Sequence, residues 1–403
     1  MGHLRGEKNM PELSSDLYGT VSHKLAALKP SGIRAFDKEV SKIPGIIKLT
    51  VGEPDMNTPE HVKQAAIKSI QDDDSHYAPQ AGKPELLQAI SAYLKKTRDV
   101  DYDPDSEVVV TVGATEALDA TLFSLLNTGD KVIVPTPAFA LYFPLIAMTG
   151  ATAVQVDTSA DNFVLTPQHL EEVIAKEGAG VKAVLLNYPS NPTGREYPKE
   201  LLESLAKVIE KHHLFVIADE IYSDLVYGVD HYSIASFIPE RTILISGLSK
   251  SHAMTGYRLG YVAGPAQIMK SILKMHCYLV TTVTDSTQAA ATEALTNGLD
   301  DPLTFRKSYR KRRDIVIDGL TKLGFDMATP QGAFYIFAKI PQFFGNDDEK
   351  FARDLATKAK VGVTPGSAFG AGGEGYIRLS YASSEEDIQE CLKRIGAFVK
   401  GLE

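Results

Sequence analysis

Between residues 107 and 264 the chain returns seven times to a short, nearly continuous apolar run. These are EVVVTV from 107, KVIVP from 131, ATAVQV from 151, KAVLLN from 182, LFVIA from 214, TILIS from 242 and GYVAG from 260. A strand that is apolar at almost every position has to be covered on both faces. Several gaps between the runs hold helical patterns, among them TEALDATLFSLL from 115 and KELLESLAKVIEKHH from 199. In the second, Leu201, Leu202, Leu205, Val208 and Ile209 fall on one helical face. Strands alternating with helices predict an α/β architecture with a mainly parallel sheet.

The pattern changes near residue 293. A long helical stretch, TFRKSYRKRRDIVIDGLTKLG from 304, is followed by the strand-like AFYIFAKI from 333 and YIRLSYA from 376. That reads as a smaller α+β domain, against which the helical GIRAFDKEVSK from 32 is expected to pack. The chain's 403 residues exceed the roughly 250–300 at which a single core stops growing. We therefore expect a large domain over 49–292 and a small one made of 1–48 and 293–403, with the first dozen residues loose and solvated.

A net charge of -9 speaks against a nucleic-acid surface, which wants a basic field. Cys277 and Cys391 are far apart and in no CxxC spacing, which fits free thiols in a reducing compartment better than a disulfide or zinc site. The first residues lack the apolar segment of a secretory signal, and no run approaches the ~18 apolar residues of a membrane span. A cytoplasmic protein is expected.

A literal GxGxxG stands at Gly370, Gly372 and Gly375, but a strand follows it where a dinucleotide fingerprint needs a helix; a glycine turn is the better reading. Gly82-Lys83 lacks the earlier glycine of a phosphate loop, and His212-His213 has no partner at ligand spacing. Four other stretches fall at ends of predicted strands, where ligands of open α/β sheets collect. In TVGATEAL from 111, small residues (Gly113, Ala114, Thr115) open a helix and expose backbone N–H groups to an anion. NYPSNPTG from 187 puts Asn187 and Asn191 after a buried strand. LFVIADEIYSDL runs an apolar strand into Asp219 and Glu220, with Tyr222 close behind. A carboxylate there is costly to desolvate without a cationic partner; helix capping is the plain alternative for Asp219. The fourth, SGLSKSHAMTGYRLGY from 246, delivers Lys250 and, eight residues on, Arg258.

Together these supply an amine, a buried acid, an anion site and an arginine on one sheet edge. That is equipment for a phosphorylated aldehyde held as a Schiff base. Lysine must lose its proton to attack a carbonyl, and its ordinary pKa is about 10.4, so a desolvated or cation-rich setting is required. Arg258 offers a phosphate fork and a push toward the neutral amine. An acid such as Asp219 would keep a pyridine nitrogen protonated and the ring an electron sink.

At this point the chain resembles the fold-type-I, class I/II aminotransferases that use pyridoxal 5′-phosphate. The likeness runs from about 45 to 400. It is carried in order by VGEPDMNTPE, YAPQAGKPEL, NYPSNPTG, ADEIYSDL, the SK…GYRLGY stretch and GYIRLSYA. It implies a mainly parallel seven-stranded sheet and a homodimer, with an L-amino acid and a 2-oxo acid as small-molecule partners. Lys250 would anchor the cofactor and shuttle the substrate Cα proton. Asp219 would pair with the pyridine nitrogen, and Asn191 and Tyr222 would bond the 3-oxygen. Gly113, Ala114, Thr115 and Arg258 would hold the phosphate, with Phe139 on the ring face. Arg378 and Gly52 would grip the substrate carboxylate, and Tyr77 would reach the partner subunit's phosphate.

The resemblance is closest to aromatic or broad-specificity and to N-acetyl-diaminopimelate aminotransferases; a C–S lyase is the alternative chemistry, and an effector-sensing regulator would need a DNA-binding domain. Two departures stand out. Gly247 occupies a position where many relatives have serine, leaving Ser246 and Ser249 as candidates for the phosphate contact. No second arginine for a side-chain carboxylate can be singled out, so aspartate and glutamate remain possible donors.

Overall fold

The computed structural model describes residues 12–20, 22–28 and 32–401. Of the expected loose start, only Glu12 lies inside that range. The seven apolar runs form one sheet: β1 (Val108–Thr111), β2 (Lys131–Thr136), β3 (Thr152–Asp157), β4 (Val181–Asn187), β5 (Phe215–Asp219), β6 (Thr242–Gly247) and β7 (Gly260–Ala263). Their spatial order is β1-β7-β6-β5-β4-β2-β3. All neighbours are parallel except β7, which runs antiparallel to both β1 and β6.

Both faces are covered, as the continuous apolar strands require. On one, Val132, Leu185, Ile217 and Ile245 meet Leu118 and Leu122 of the helix Gly113–Leu125 (α2) and Ile272 of the helix Ala266–Leu279. On the other, Val184, Val216 and Ala218 pack on Leu202, Leu205 and Ile209 of the helix Lys199–Lys211 (α3). The 3.6-residue spacing read from the sequence thus places α3's apolar stripe on the sheet.

The antiparallel β7 has a local cause. A parallel return needs a crossover across a sheet face, but residues 248–259 form turns and one short 3-10 turn. They double back at the edge where β6 ends, and Gly247 pairs with Gly260. The backbones meet so closely that a Cβ on Gly247 would lie 2.7 Å from the Leu259 carbonyl oxygen. That accounts for glycine at this position.

A second, antiparallel sheet has the order β10 (Thr364–Pro365), β11 (Tyr376–Ser380), β9 (Tyr335–Lys339) and β8 (Asp326–Met327). Its core takes Tyr309, Val316 and Leu320 from the helix Asp301–Lys322 and Ile388, Cys391 and Ile395 from the helix Glu385–Lys400. Phe36 and Val40 of the helix Gly32–Val40 (α1) join that core, and Ile47 pairs with Val361. Ile221, Tyr222 and Leu225, just past β5, belong to it as well. The two layers are therefore sewn together where the central strand ends. Both cysteines are free, and among the described residues no helix is long and apolar enough to cross a membrane.

Gly260 faces the backbone of Gly113 and Ala114, with no room for a Cβ. Gly260→Ala should overpack the join between β7 and α2 and lower stability by about 1–3 kcal/mol. Urea unfolding of the variant, with an unchanged m-value, is the measurement that checks it.

Candidate active site

The sheet edge formed by the ends of β5 and β6 opens into a cleft of about 630 Å³ between the two layers. That is the size of a pocket for a small ligand. Lining it are Gly52, Ala114, Thr115, Phe139, Asn191, Asp219, Tyr222, Lys250, Arg258 and Arg378. Gly113 stands just behind, at the first turn of α2. Only Tyr77 lies apart, 87% exposed on the surface.

Asp219 is the last residue of β5 and is buried. No helix starts after it; the chain makes turns, and the Ile221 N–H donates to its Oδ1 at 3.2 Å. The capping alternative thus holds only as a turn. The Tyr142 hydroxyl donates to Oδ2 at 2.7 Å. Burial raises the acid to about 6, against the pull of these two hydrogen bonds. It is mainly ionised at neutral pH.

Lys250 Nζ donates to the Gly52 carbonyl at 2.6 Å and lies 5.7 Å from the ring of Phe334 and 5.9 Å from that of Tyr222. Desolvation brings the amine down to about 8; Arg258 and Arg378 push the same way, while Glu53 and Asp219 oppose. The required setting for a nucleophilic lysine is present. Gly52 accepts from Lys250 at its carbonyl, and its N–H is the group that can donate to a carboxylate.

At the start of α2, Gly113 has φ +76°, and a Cβ there would lie 2.5 Å from Arg258 Nη2. Arg258 itself has φ +55° and is anchored by Nη1 on the Thr255 carbonyl at 2.9 Å. The helix-start N–H groups and a guanidinium therefore share one corner, an anion cradle. Of the two candidate serines, Ser249 lines the cleft. Ser246 is turned away and donates to the Glu220 carbonyl at 3.2 Å.

Arg378, in β11, is buried across the cleft. Its Nη1 donates to Asn191 Oδ1 at 3.0 Å and its Nη2 to the Thr50 carbonyl at 2.6 Å. The guanidinium also stacks 4.6 Å over Tyr335 and 4.9 Å over Phe369. Among the described residues it has no ion pair, and its Nε is buried without a partner. A buried cation without a counter-ion is an unmet demand for an anion; burial lowers its pKa accordingly. Asn191 is fixed through its N–H, which donates to Asn187 Oδ1 at 2.9 Å.

Sequence reasoning missed three residues. Tyr335 shares a 2.8 Å hydrogen bond with the Tyr222 hydroxyl, Tyr142 holds Asp219, and Thr50 holds Arg378. Both tyrosines sit in apolar runs that read as core. Thr50's share is a backbone carbonyl, which no side-chain motif reports. The GxGxxG glycines form a turn before β11, with positive φ at all three, and Ala371 between them donates to Gln155 Oε1 at 3.0 Å. Lys83 pairs with Asp74 and Asp285, and His212 with Glu171. No group of metal-ligating side chains occurs among the described residues.

A phosphorylated pyridine aldehyde asks for a neutral-prone amine, a carboxylate for the ring nitrogen and a phosphate cradle. Lys250, Asp219 and the Gly113–Arg258 corner meet each demand. The family profile described as aminotransferase class I and II matches residues 44–395. The chain is 45% identical over 93% of its length to the probable N-acetyl-LL-diaminopimelate aminotransferase of Bacillus subtilis, covering 95% of that protein. A solved structure of Thermus thermophilus aspartate aminotransferase with maleate superposes with a TM-score of 0.89 at 35% identity, covering 94% of this chain and 99% of that one. The aromatic aminotransferase structure from Pyrococcus horikoshii gives a TM-score of 0.86 at 37% identity, with 91% and 99% covered. The chain belongs to the class I and II aminotransferases of fold type I, enzymes that use pyridoxal 5′-phosphate.

Proposed function

We propose that this aminotransferase moves the α-amino group of an L-amino acid, of aromatic or broad range, to a 2-oxo acid such as 2-oxoglutarate in two half-reactions. The observation that carries this reading is a desolvated lysine amine facing, in one cleft, a buried arginine without an acidic partner. When bound, pyridoxal phosphate supplies the electron sink and carries the amino group between the half-reactions.

Arg378 takes the donor's α-carboxylate in a fork, and the Gly52 N–H completes that grip. So held, the substrate Cα would come within reach of Lys250, the cofactor's covalent anchor, whose neutral Nζ would take and carry the Cα proton. Asp219 would keep the pyridine nitrogen protonated, while Asn191 and Tyr222 would bond the 3-oxygen. Gly113, Ala114, Thr115, Ser249 and Arg258 would hold the phosphate, and Phe139 would cover the ring. Tyr77, exposed here, reaches the phosphate of the partner subunit in a homodimer. We take the large unit as 49–292 and the small one as 1–48 with 293–403; the distinct clusters around the two sheets support two units, although Ile221, Tyr222 and Leu225 bridge them. Two unpaired cysteines support a cytoplasmic setting. N-acetyl-LL-diaminopimelate is a second donor reading, favoured by the 45% identity to the Bacillus relative.

Lys250→Ala should abolish turnover yet retain cofactor without a bond that borohydride can trap; peptide mapping that finds the label on another lysine would refute the assignment. Cofactor capture by the apoprotein should speed up as pH rises through about 8, because only the neutral amine attacks. In Arg258→Leu, loss of a nearby cation should move that midpoint upward, as stopped-flow absorbance across pH would show. Arg378→Leu should leave the cofactor spectrum intact and cut kcat/KM for amino donors roughly 10- to 100-fold, the worth of a charged hydrogen bond. A panel of donor rates, N-acetyl-diaminopimelate included, decides between the substrate readings.

A further inference from the structure

Directly behind Asp219 lies a cluster of buried charges for which the proposed reaction has no use. At its centre is Glu220, fully buried. Its Oε2 is 3.1 Å from His231 Nε2 and 3.5 Å from Arg98 Nε. Its Oε1 accepts from the Tyr188 hydroxyl at 3.1 Å and the Ser233 hydroxyl at 2.6 Å. His231 also faces Glu196 at 3.2 Å, and Arg98 faces Asp224 at 3.4 Å. Burial works against charge on His231, yet the two glutamates prevail and hold it up at about 9.

Such a cluster is weak grounds for stability, since apolar side chains of like volume often serve a core as well or better. What it does provide is direction. Glu220 follows Asp219 in the chain and stands two residues before Tyr222. Tyr188, whose hydroxyl it holds, lies inside the loop that carries Asn191 and stacks its ring 5.3 Å from His231. The same hydroxyl accepts from the Ile234 N–H at 2.9 Å. Ser233 makes an equivalent pair of bonds, to Glu220 and from the Ala235 N–H, but sits in a segment that sends no side chain into the cleft.

We propose that Glu220 is a positioning residue: through the Tyr188 hydroxyl it holds the Asn191 loop in register with the turn that carries Asp219 and Tyr222. The inference rests on the roles given above to those three residues. Arg98 and His231 flank one oxygen of this carboxylate, and both hydroxyls donate to the other.

The test compares Tyr188→Phe with Ser233→Ala in the holoenzyme. Each removes one hydroxyl from the same carboxylate oxygen and changes no charge, so both should fold with similar, small losses in Tm. Only Tyr188→Phe should lower kcat, roughly tenfold or more for a displacement of reacting groups by a fraction of an ångström, with KM for the donor within twofold. It should also raise the pH midpoint of the Lys250-dependent visible absorption band, since donors to the 3-oxygen are weakened. Equal effects of the two variants on kcat and on the band, or no effect of either, would overturn the inference and leave the cluster purely structural. A wild-type holoenzyme without a Lys250-dependent band would overturn the underlying reading and this inference with it.

Discussion

The cleft depends on the antiparallel pairing of β6 with β7. A helical crossover would have carried the chain from β6 to the far end of the sheet before the next strand. The direct return instead keeps residues 248–259 at the edge where β5 and β6 end, so Lys250 and Arg258 serve one pocket. The requirement that makes this possible is the absence of side chains. Gly247, Gly260 and Gly113 lie where backbones approach within van der Waals contact, and a single added carbon at any of them meets a neighbour. Three glycines, through the side chains they lack, thus set how close an amine, a guanidinium and a helix start can come.

Burial then gives these groups their chemistry. The same loss of water that raises Asp219 lowers Lys250, so acid and amine approach one another in proton affinity although they begin far apart. Each has hydrogen-bond partners of its own, Tyr142 and Ile221 for Asp219 and Gly52 for Lys250. Arg378 differs from both. Its contacts are an amide, a hydroxyl, a carbonyl and aromatic faces, so its charge stays available.

Much of this was legible in the sequence, for identifiable reasons. Seven continuous apolar runs could only be a doubly covered sheet, and a lysine, an acid and an arginine gathered at strand ends were more specific together than any of them alone. The direction of β7 was not legible, because a four-residue apolar strand reads the same both ways. Tyr335 and Tyr142 were hidden by their own ring hydrophobicity: in AFYIF and FALYFP a tyrosine counts as core until its hydroxyl is seen to bond. Glu220 was visible as a costly charge, but its cations, Arg98 and His231, come from stretches more than a hundred residues apart. Only folding unites them. The role of Thr50 rests on a main-chain oxygen and leaves no trace in side-chain identity.

The stretch from Thr50 to Gly52 has one more implication. Thr50's carbonyl receives Arg378 and Gly52's receives Lys250, two peptide units apart along one segment. A chain advances at most about 3.6 Å per residue, so the segment sets an upper limit on how far apart these two carbonyls, and the cations on them, can stand. Every α-amino acid presents the same short interval between its amino nitrogen and its carboxylate, whatever its side chain. Under the roles proposed above, this segment would serve the part of the substrate that never varies. On that reading, discrimination among side chains would fall to other walls of the cleft. Relatives named for aspartate, aromatic and N-acetyl-diaminopimelate substrates can share one frame on this basis.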